Sequence, residues 1–477
     1  MALTRIILWL GNTLIFCALI ASLTAVIAFL LVEISDAVRF GALGLSVGSV
    51  GLVFVFLAYN MPSQETNSDA MLFLVLFWIL VPLILAVPYM FTGATQTLGT
   101  AYFEAVSALT TTGASTLDAD SLSRSLLFWR SLLQFVGGII AATFAVVILA
   151  ALNLTGTGVH RSMLFTLKRG ELFSRLTGIG RIIAGIYFAI SGFCFAGLVL
   201  SGTPVFESVC LSLTAVSTGG LTPKSGILAD YVNTFGVAVL AISCLAGAMS
   251  IAILWDSIRL RTWDSIRKIF NDVETRGLLI LIVIVIIFGI FFSGYQHIGT
   301  LFFEAIFFVS STGYDYHVIG IEMLPPAILI TIALIGGSAL STASGVKIIR
   351  LLLLLRHVAT DLNRLTYPSR VLPVKFKGQT IPDRAFLSIW MYFFGYTLVF
   401  AFATLALSAT GMTYELAVAS GAAALSNMGP LLDATLPSLS YPDFTAHQLG
   451  LLSAIMLLGR IEILAAFAVL SPNVWRR

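Results

Sequence analysis

Four short stretches of this chain run through small and hydroxylic residues to a glycine, and each opens on an aromatic-Glu pair. They are FEAVSALTTTG ending at Gly113, FESVCLSLTAVSTGG with Gly219, FEAIFFVSSTG ending at Gly313 and YELAVASGAAALSNMG ending at Gly429. The chemistry open to such residues is coordination through backbone oxygen. A dehydrated monovalent cation needs a cage of oxygens in place of its water, and carbonyls from several equivalent segments can build one. The candidate cage residues are Thr111, Thr112 and Gly113; Ser217, Thr218 and Gly219; Ser311, Thr312 and Gly313; and Asn427, Met428 and Gly429. Glycine is needed at such a turn because successive carbonyls can face one axis only if some residue takes dihedrals that side chains resist.

From Glu to Gly the four distances are 9, 12, 9 and 14 residues. As helix at about 1.5 Å per residue these stretches cover roughly 14 to 21 Å, well short of a hydrocarbon core of about 30 Å. They read as half-helices that enter a membrane and turn back, since extended backbone at that depth is tolerated where it lines a water-filled path. Each would aim its negative C-terminal end at a central cation and carry Glu104, Glu207, Glu304 or Glu415 at its positive N-terminal end. Capping and contacts to neighbouring loops are the other role open to these glutamates. Small residues also permit close helix packing, but packing motifs have no reason to recur only after short half-helices.

The elements that must position these loops are membrane spans. With 477 residues, 58% of them hydrophobic and 10% charged, and a mean hydropathy of +1.00, the chain has the composition of a polytopic membrane protein. A net charge of +3 gives nucleic-acid binding no support. Cys17, Cys194, Cys210 and Cys244 fall in apolar or re-entrant stretches without CxxC spacing and read as small buried hydrophobes, so no metal or redox site and no covalently held cofactor is expected. The opening MALTRIILWLGNTLIF has a long apolar run without a small-residue cleavage site, which favours a retained first span over a signal peptide.

Ten apolar spans are expected, at 6–31, 40–59, 71–91, 128–152, 180–200, 232–255, 277–293, 326–355, 386–410 and 447–470. The half-helices fall between spans three and four, five and six, seven and eight, and nine and ten. The chain therefore divides into a leading pair of spans at 1–65 and four repeats of span, half-helix, span at 66–170, 171–270, 271–375 and 376–477. Closing glycines 106, 94 and 116 residues apart mark a repeat of about a hundred residues. Each repeat holds an even number of full spans, so all four enter the bilayer the same way and can surround one axis. Inverted-repeat transporters need units that face opposite ways.

Basic residues gather in one set of loops: Arg161, Lys168, Arg169, Arg175 and Arg181; Arg259, Arg261, Arg267, Lys268 and Arg276; Arg356, Arg364, Arg370, Lys375, Lys377 and Arg384; and Arg476 with Arg477. The opposite set holds only Arg39, Arg124 and Lys224. The basic side is expected to be cytoplasmic, with both termini inside and the four glycines toward the outside. One short loop, MPSQETNSDA at 61–70, lies on the inner side without Lys or Arg. A membrane enzyme would need convergent intramembrane His, Asp or Glu, whereas His160, His297, His317, His357 and His447 fall in loops or span ends. No Walker motif occurs, and no nucleotide-binding domain is expected.

On TTTGAST, STGG, SSTGYD and SNMGP, the four repeats and the leading pair, the sequence resembles the Trk/Ktr/HKT superfamily of potassium transporters, most of all its bacterial TrkH-type subunits. The resemblance implies an all-α integral membrane protein whose four M1-P-M2, potassium-channel-like repeats surround a pore with one filter loop each. It implies potassium uptake across the inner membrane, with K+ as the ion held at the filter residues. A Ser in the first repeat is the family's usual mark of Na+ preference, and this chain has Gly113. Asn427 and Met428 depart from the Ser/Thr pattern of the other loops. A Na+ or mixed-cation conductor, or a K+ symporter coupled to H+ or Na+, is the alternative.

Two further signatures lie on the same path. GGSALSTASGVKIIR at 336–350 interrupts the eighth span and is expected to break it; by resemblance it is the intramembrane loop that closes the pore, with Gly336, Gly337 and Lys347 in the gate. Lys347 either places a charge on the ion path or snorkels to the cytoplasmic surface with Arg350. Arg460 in LLGRIEIL lies near mid-bilayer, where an arginine costs at least a few kcal/mol and marks function by default. By resemblance it lies below the filter. The resemblance also implies a homodimer that docks, on its basic cytoplasmic loops, a separate cytosolic regulatory ring that binds nucleotides.

Overall fold

A backbone in hydrocarbon must satisfy its polar groups internally, so the long apolar runs fold as helices. The structure is a computed structural model that describes residues 3–59, 67–151, 172–260, 263–294, 298–317, 321, 324–367, 374–376, 379–381 and 383–461. Helices α1 (Leu3–Leu30) and α2 (Ile34–Tyr59) are the leading pair. The first repeat is α3 (Asn67–Leu85), its short continuation α4 (Val87–Phe91), the half-helix α5 (Leu98–Leu109) and α6 (Arg124–Ala151). The second is α7 (Leu172–Leu200), half-helix α8 (Val205–Val216), α9 (Thr234–Ala248) and α10 (Ile251–Leu260), and α11 (Trp263–Asn271) leads on from it. The third is α12 (Val273–Ser293), half-helix α13 (Ile298–Val309), α14 (Pro326–Ile335) and α15 (Ile348–Thr366). A two-residue ladder of β1 (Lys375–Phe376) and β2 (Gln379–Thr380) precedes the fourth repeat: α16 (Asp383–Ala409), half-helix α17 (Tyr414–Leu425), α18 (Leu431–Thr435) and α19 (Ala446–Ile461).

Apart from this ladder the regular elements of the described residues are helices, the all-α membrane class expected. The leading pair is docked by charge: the Glu33 carboxylate in its turn accepts the Arg124 and Ser125 backbone N–H groups, both at 2.9 Å. These are donors that the start of α6 cannot satisfy within its own helix, and an anion is favoured there.

Two spans are broken, one of them against the sequence reading. The eighth breaks as expected, between Ile335 and Ile348. The sixth, read as one helix over 232–255, also breaks: α9 and α10 meet at 104° around Met249 and Ser250. No Pro prompts this bend. The backbone groups it frees are taken up by the loop in the broken eighth span, a partner invisible to local sequence. The repeat boundaries at 65/66 and 170/171 lie outside the described residues, as do Arg161, Lys168, Arg169, Arg261, Arg370, Lys377, Arg476, Arg477, His160, His297 and most of the 61–70 loop.

Candidate functional site

All four half-helices are 12 residues long, about 18 Å of helix. Each ends in the same turn. The residue two past the helix takes a left-handed conformation: Thr111 (φ 54°), Thr218 (φ 52°), Ser311 (φ 61°) and Asn427 (φ 46°). The next residue then donates its N–H back five positions: Thr112 to Ser107 (2.9 Å), Gly219 to Thr214 (2.9 Å), Thr312 to Phe307 (3.0 Å) and Met428 to Ala423 (2.9 Å). This is the bond pattern that closes a helix on a left-handed residue. It fixes the register. Thr112, Gly219, Thr312 and Met428 occupy one station, and Gly113, Gly220, Gly313 and Gly429 the next.

That register corrects the second loop. Ser217 is the C-cap of α8, and the equivalent trio is Thr218, Gly219 and Gly220 rather than Ser217, Thr218 and Gly219. In the other three loops the same register covers 111–113, 311–313 and 427–429. The structure also moves the special backbone: the first left-handed residue of each loop is Thr, Ser or Asn, at a cost of about 1–3 kcal/mol each that surrounding contacts must offset.

The loops touch in cyclic order. A Cβ on Gly113 would fall on the Gly219 carbonyl oxygen, and one on Gly220 on the Thr312 carbonyl. One on Gly313 would lie 2.6 Å from Pro430, and one on Gly429 would meet Ala114. First to second, second to third, third to fourth and fourth back to first, the walls close a ring. Gly113 combines this approach with φ of 79°, so a side chain there is opposed both by the neighbouring wall and by its own backbone.

Each wall is held from behind by a different polar side chain. Ser107 donates to the Ala114 carbonyl at 2.5 Å, Gln134 of α6 to the Gly219 carbonyl at 2.6 Å and Tyr441 to the Gly429 carbonyl at 2.9 Å, while Tyr314 shares a hydrogen bond with Thr214. Across walls, Gly429 N–H donates to the Thr112 carbonyl at 2.6 Å, and the Asn427 amide to the Thr112 hydroxyl at 3.0 Å and the Met456 carbonyl at 2.9 Å. Gln134, fully buried, is a functional candidate that the sequence reading missed. A lone Gln in an apolar span was its signal.

The glutamates divide into two classes. Glu104 and Glu304 are the seventh residues of their half-helices, away from the N-terminal ends where the sequence reading put them. Glu104 accepts Thr116 N–H at 2.6 Å, the Thr116 hydroxyl at 2.9 Å and the Ser115 hydroxyl at 3.0 Å; Glu304 accepts His317 N–H at 3.1 Å and Ile321 N–H at 2.7 Å. Both tie down the chain that leaves the ring. Arg130, 3% exposed, donates to the same Ser115 hydroxyl at 2.9 Å, so a buried cation and carboxylate share one bridging side chain. Glu207 does lie in the first turn of α8, 3.3 Å from Lys224, and Glu415 lies exposed in the first turn of α17.

On the half-helix side of the ring lies the loop of the broken eighth span, every residue from 336 to 350 buried. It is a closed hairpin: Val346 N–H donates to Leu334 and Lys347 N–H to Ile335, both at 2.9 Å, and Ile348 N–H to Gly337 at 3.0 Å. Gly336 (φ 72°) and Gly345 (φ 101°) cross without side chains, since a Cβ on either would overlap the other segment. Lys347 and Arg350 are both buried, so Lys347 does not snorkel to the surface. Its ammonium bonds the Ser341 carbonyl at 3.2 Å and the Ala343 carbonyl, clasping its own loop, while the Arg350 guanidinium lies 3.8 Å over the Tyr392 ring.

The hairpin bonds directly to the ring. Thr342 Oγ1 receives Thr218 Oγ1 at 3.0 Å, and Ser344 Oγ donates to Asn427 Oδ1 at 3.0 Å. Arg460, in the last turn of α19, bonds the Thr342 carbonyl at 2.6 Å through one terminal nitrogen and Thr111 Oγ1 through the other. Left-handed residues of three walls are thus joined to one hairpin. Ring residues, hairpin and the Arg460 guanidinium are thus bonded together at one place in the fold.

Four half-helices ending on one ring of loops, among helices long and apolar enough to cross a membrane, define a helical integral membrane protein. The family described as TrkH, a cation transport protein, matches residues 49–476, and the chain belongs to it. The Trk system potassium uptake protein TrkH of Salmonella typhimurium is 30% identical over 419 residues, 86% of each chain. Halomonas elongata TrkH is 30% identical over 451 residues, 91% of this chain and 92% of that one, and Escherichia coli TrkG is 31% identical over 425 residues, 87% and 86%. The crystal structure of the potassium transporter TrkH from Vibrio parahaemolyticus superimposes with a TM-score of 0.87 over 100% of both chains at 24% identity, a likeness of fold.

Proposed function

We propose that this chain takes up potassium across the bacterial inner membrane through the four-loop ring, which acts as selectivity filter, and that the 336–347 hairpin with Arg460 is its gate. The observation that carries the reading is the turn repeated four times, with Thr112, Gly219, Thr312 and Met428 at one station of a closed ring. Curated relatives named potassium uptake proteins support K+ as the substrate. Orientation follows the basic loops, with both termini cytoplasmic. A homodimer on a cytosolic nucleotide-binding ring belongs to the same proposal, by family resemblance.

Growth of a K+-uptake-deficient bacterial host at low K+ tests this. The chain restores growth if the reading is right, and a chain present in the membrane that does not restore it overturns the reading. One observation favours a mixed-cation or coupled alternative: the Thr112 and Gly219 carbonyls already accept N–H donors at 2.6 Å, so the oxygen ring lacks fourfold equivalence. Uphill K+ accumulation in liposomes without a membrane potential would establish the coupled form.

A further inference from the structure

Glu274 is a carboxylate 1% exposed at the start of α12, and its bond runs to the hairpin. Its Oε2 accepts Ala339 N–H at 2.7 Å. Asp272 caps the same helix by accepting Glu274 N–H at 2.9 Å and Thr275 N–H at 3.2 Å, which fixes the backbone that carries Glu274. Two residues into a helix, a carboxylate is offset by the positive end of the helix dipole.

The neighbouring hairpin residues bond to the break in the sixth span. Ser338 N–H donates to the Ala248 carbonyl at 3.3 Å, the Leu340 carbonyl accepts Ile251 N–H at 3.1 Å and the Thr342 hydroxyl reaches the Gly247 carbonyl at 3.4 Å. These backbone groups are available because α9 stops at Ala248 and α10 starts at Ile251. The segment 251–274, which holds α10 and α11, thus begins and ends on the hairpin: Ile251 binds Leu340, and Glu274 binds Ala339. Between these ends, α11 exposes Arg267, Lys268 and Phe270.

We propose that Glu274 is the latch of the gate, and that α10 and α11 form a strap anchored at both ends to the hairpin, so that displacing the strap withdraws the hairpin from the ring. Glu274 is a positioning residue acting through the Ala339 amide. The proposal rests on the reading of the hairpin as a gate. A hydrogen bond to a charged group is strong enough to shift a closed-to-open ratio by roughly ten- to a hundred-fold.

The test is K+ flux through the full-length protein in liposomes, with deletion of 338–345 measured alongside. Glu274→Ala should raise K+ flux at least tenfold while the K+/Na+ ratio stays at the wild-type value, because the ring is untouched. Glu274→Gln keeps an acceptor for Ala339 N–H and should raise flux less than Glu274→Ala. A folded Glu274→Ala protein with wild-type or lower flux, equal fluxes in the Ala and Gln variants, or a changed ion ratio would overturn the latch. If the deletion raises flux and Glu274→Ala does not, the latch fails and the gate stands; if the deletion raises nothing, both fail. Should Glu274→Ala not assemble, Ile251→Cys with Leu340→Cys decides: oxidation should lower flux severalfold and reductant restore it, and flux indifferent to oxidation contradicts the strap.

Discussion

Arg460 donates to the carbonyl oxygen of Thr342 at 2.6 Å, joining the last helix to the hairpin of the broken eighth span across 118 residues of sequence. The other arm of the same guanidinium rests on Thr111. One side chain therefore bridges hairpin and ring. Replacing it by Ala removes charge-assisted bonds of about 1.5–3 kcal/mol, a shift in gate equilibrium of roughly tenfold or more. Arg460→Ala should raise liposome K+ flux by that order in the absence of any partner, and unchanged flux in a folded variant would remove Arg460 from the gate.

Gln134 sets a second expectation. Gln134→Leu preserves bulk in α6 but leaves the Gly219 carbonyl without its donor, at about 1–3 kcal/mol for an unmet buried group. The second wall should loosen. K+ over Na+ selectivity should fall severalfold with total flux retained, as read by paired ion fluxes.

A third expectation concerns the Glu104, Ser115 and Arg130 cluster. Glu104→Gln removes the negative charge that Ser115 links to buried Arg130, and weakening charged hydrogen bonds of this kind costs about 1.5–3 kcal/mol. The apparent melting temperature of detergent-solubilised protein should drop by several degrees. Glu104→Gln with Arg130→Met should recover part of the loss, since the uncompensated cation is then gone.

Much of this was legible in the chain because each half-helix is local: apolar, short and closed by a glycine. The spacing of 9 residues in copies one and three against 12 and 14 in the others also encoded the two classes of glutamate, since a Glu nearer the glycine must lie deeper in a helix of fixed length. Adjacent glycines hid the register of the second loop, because Gly219 and Gly220 look alike until the turn from Thr214 is counted. The bend at Met249 and Ser250 and the placement of Lys347 were out of reach. Both depend on hydrogen bonds to a hairpin distant in sequence or folded back on itself.

The ring as a K+ filter is tested most directly by the ratio of K+ to Na+ flux through wild-type and Gly113→Ser protein in the same liposomes. A side chain at 113 would press on the Gly219 carbonyl of the next wall. The ratio should fall by about tenfold, equivalent to about 1.4 kcal/mol of lost discrimination. A well-folded Gly113→Ser protein with the wild-type ratio would contradict the ring as a K+ filter.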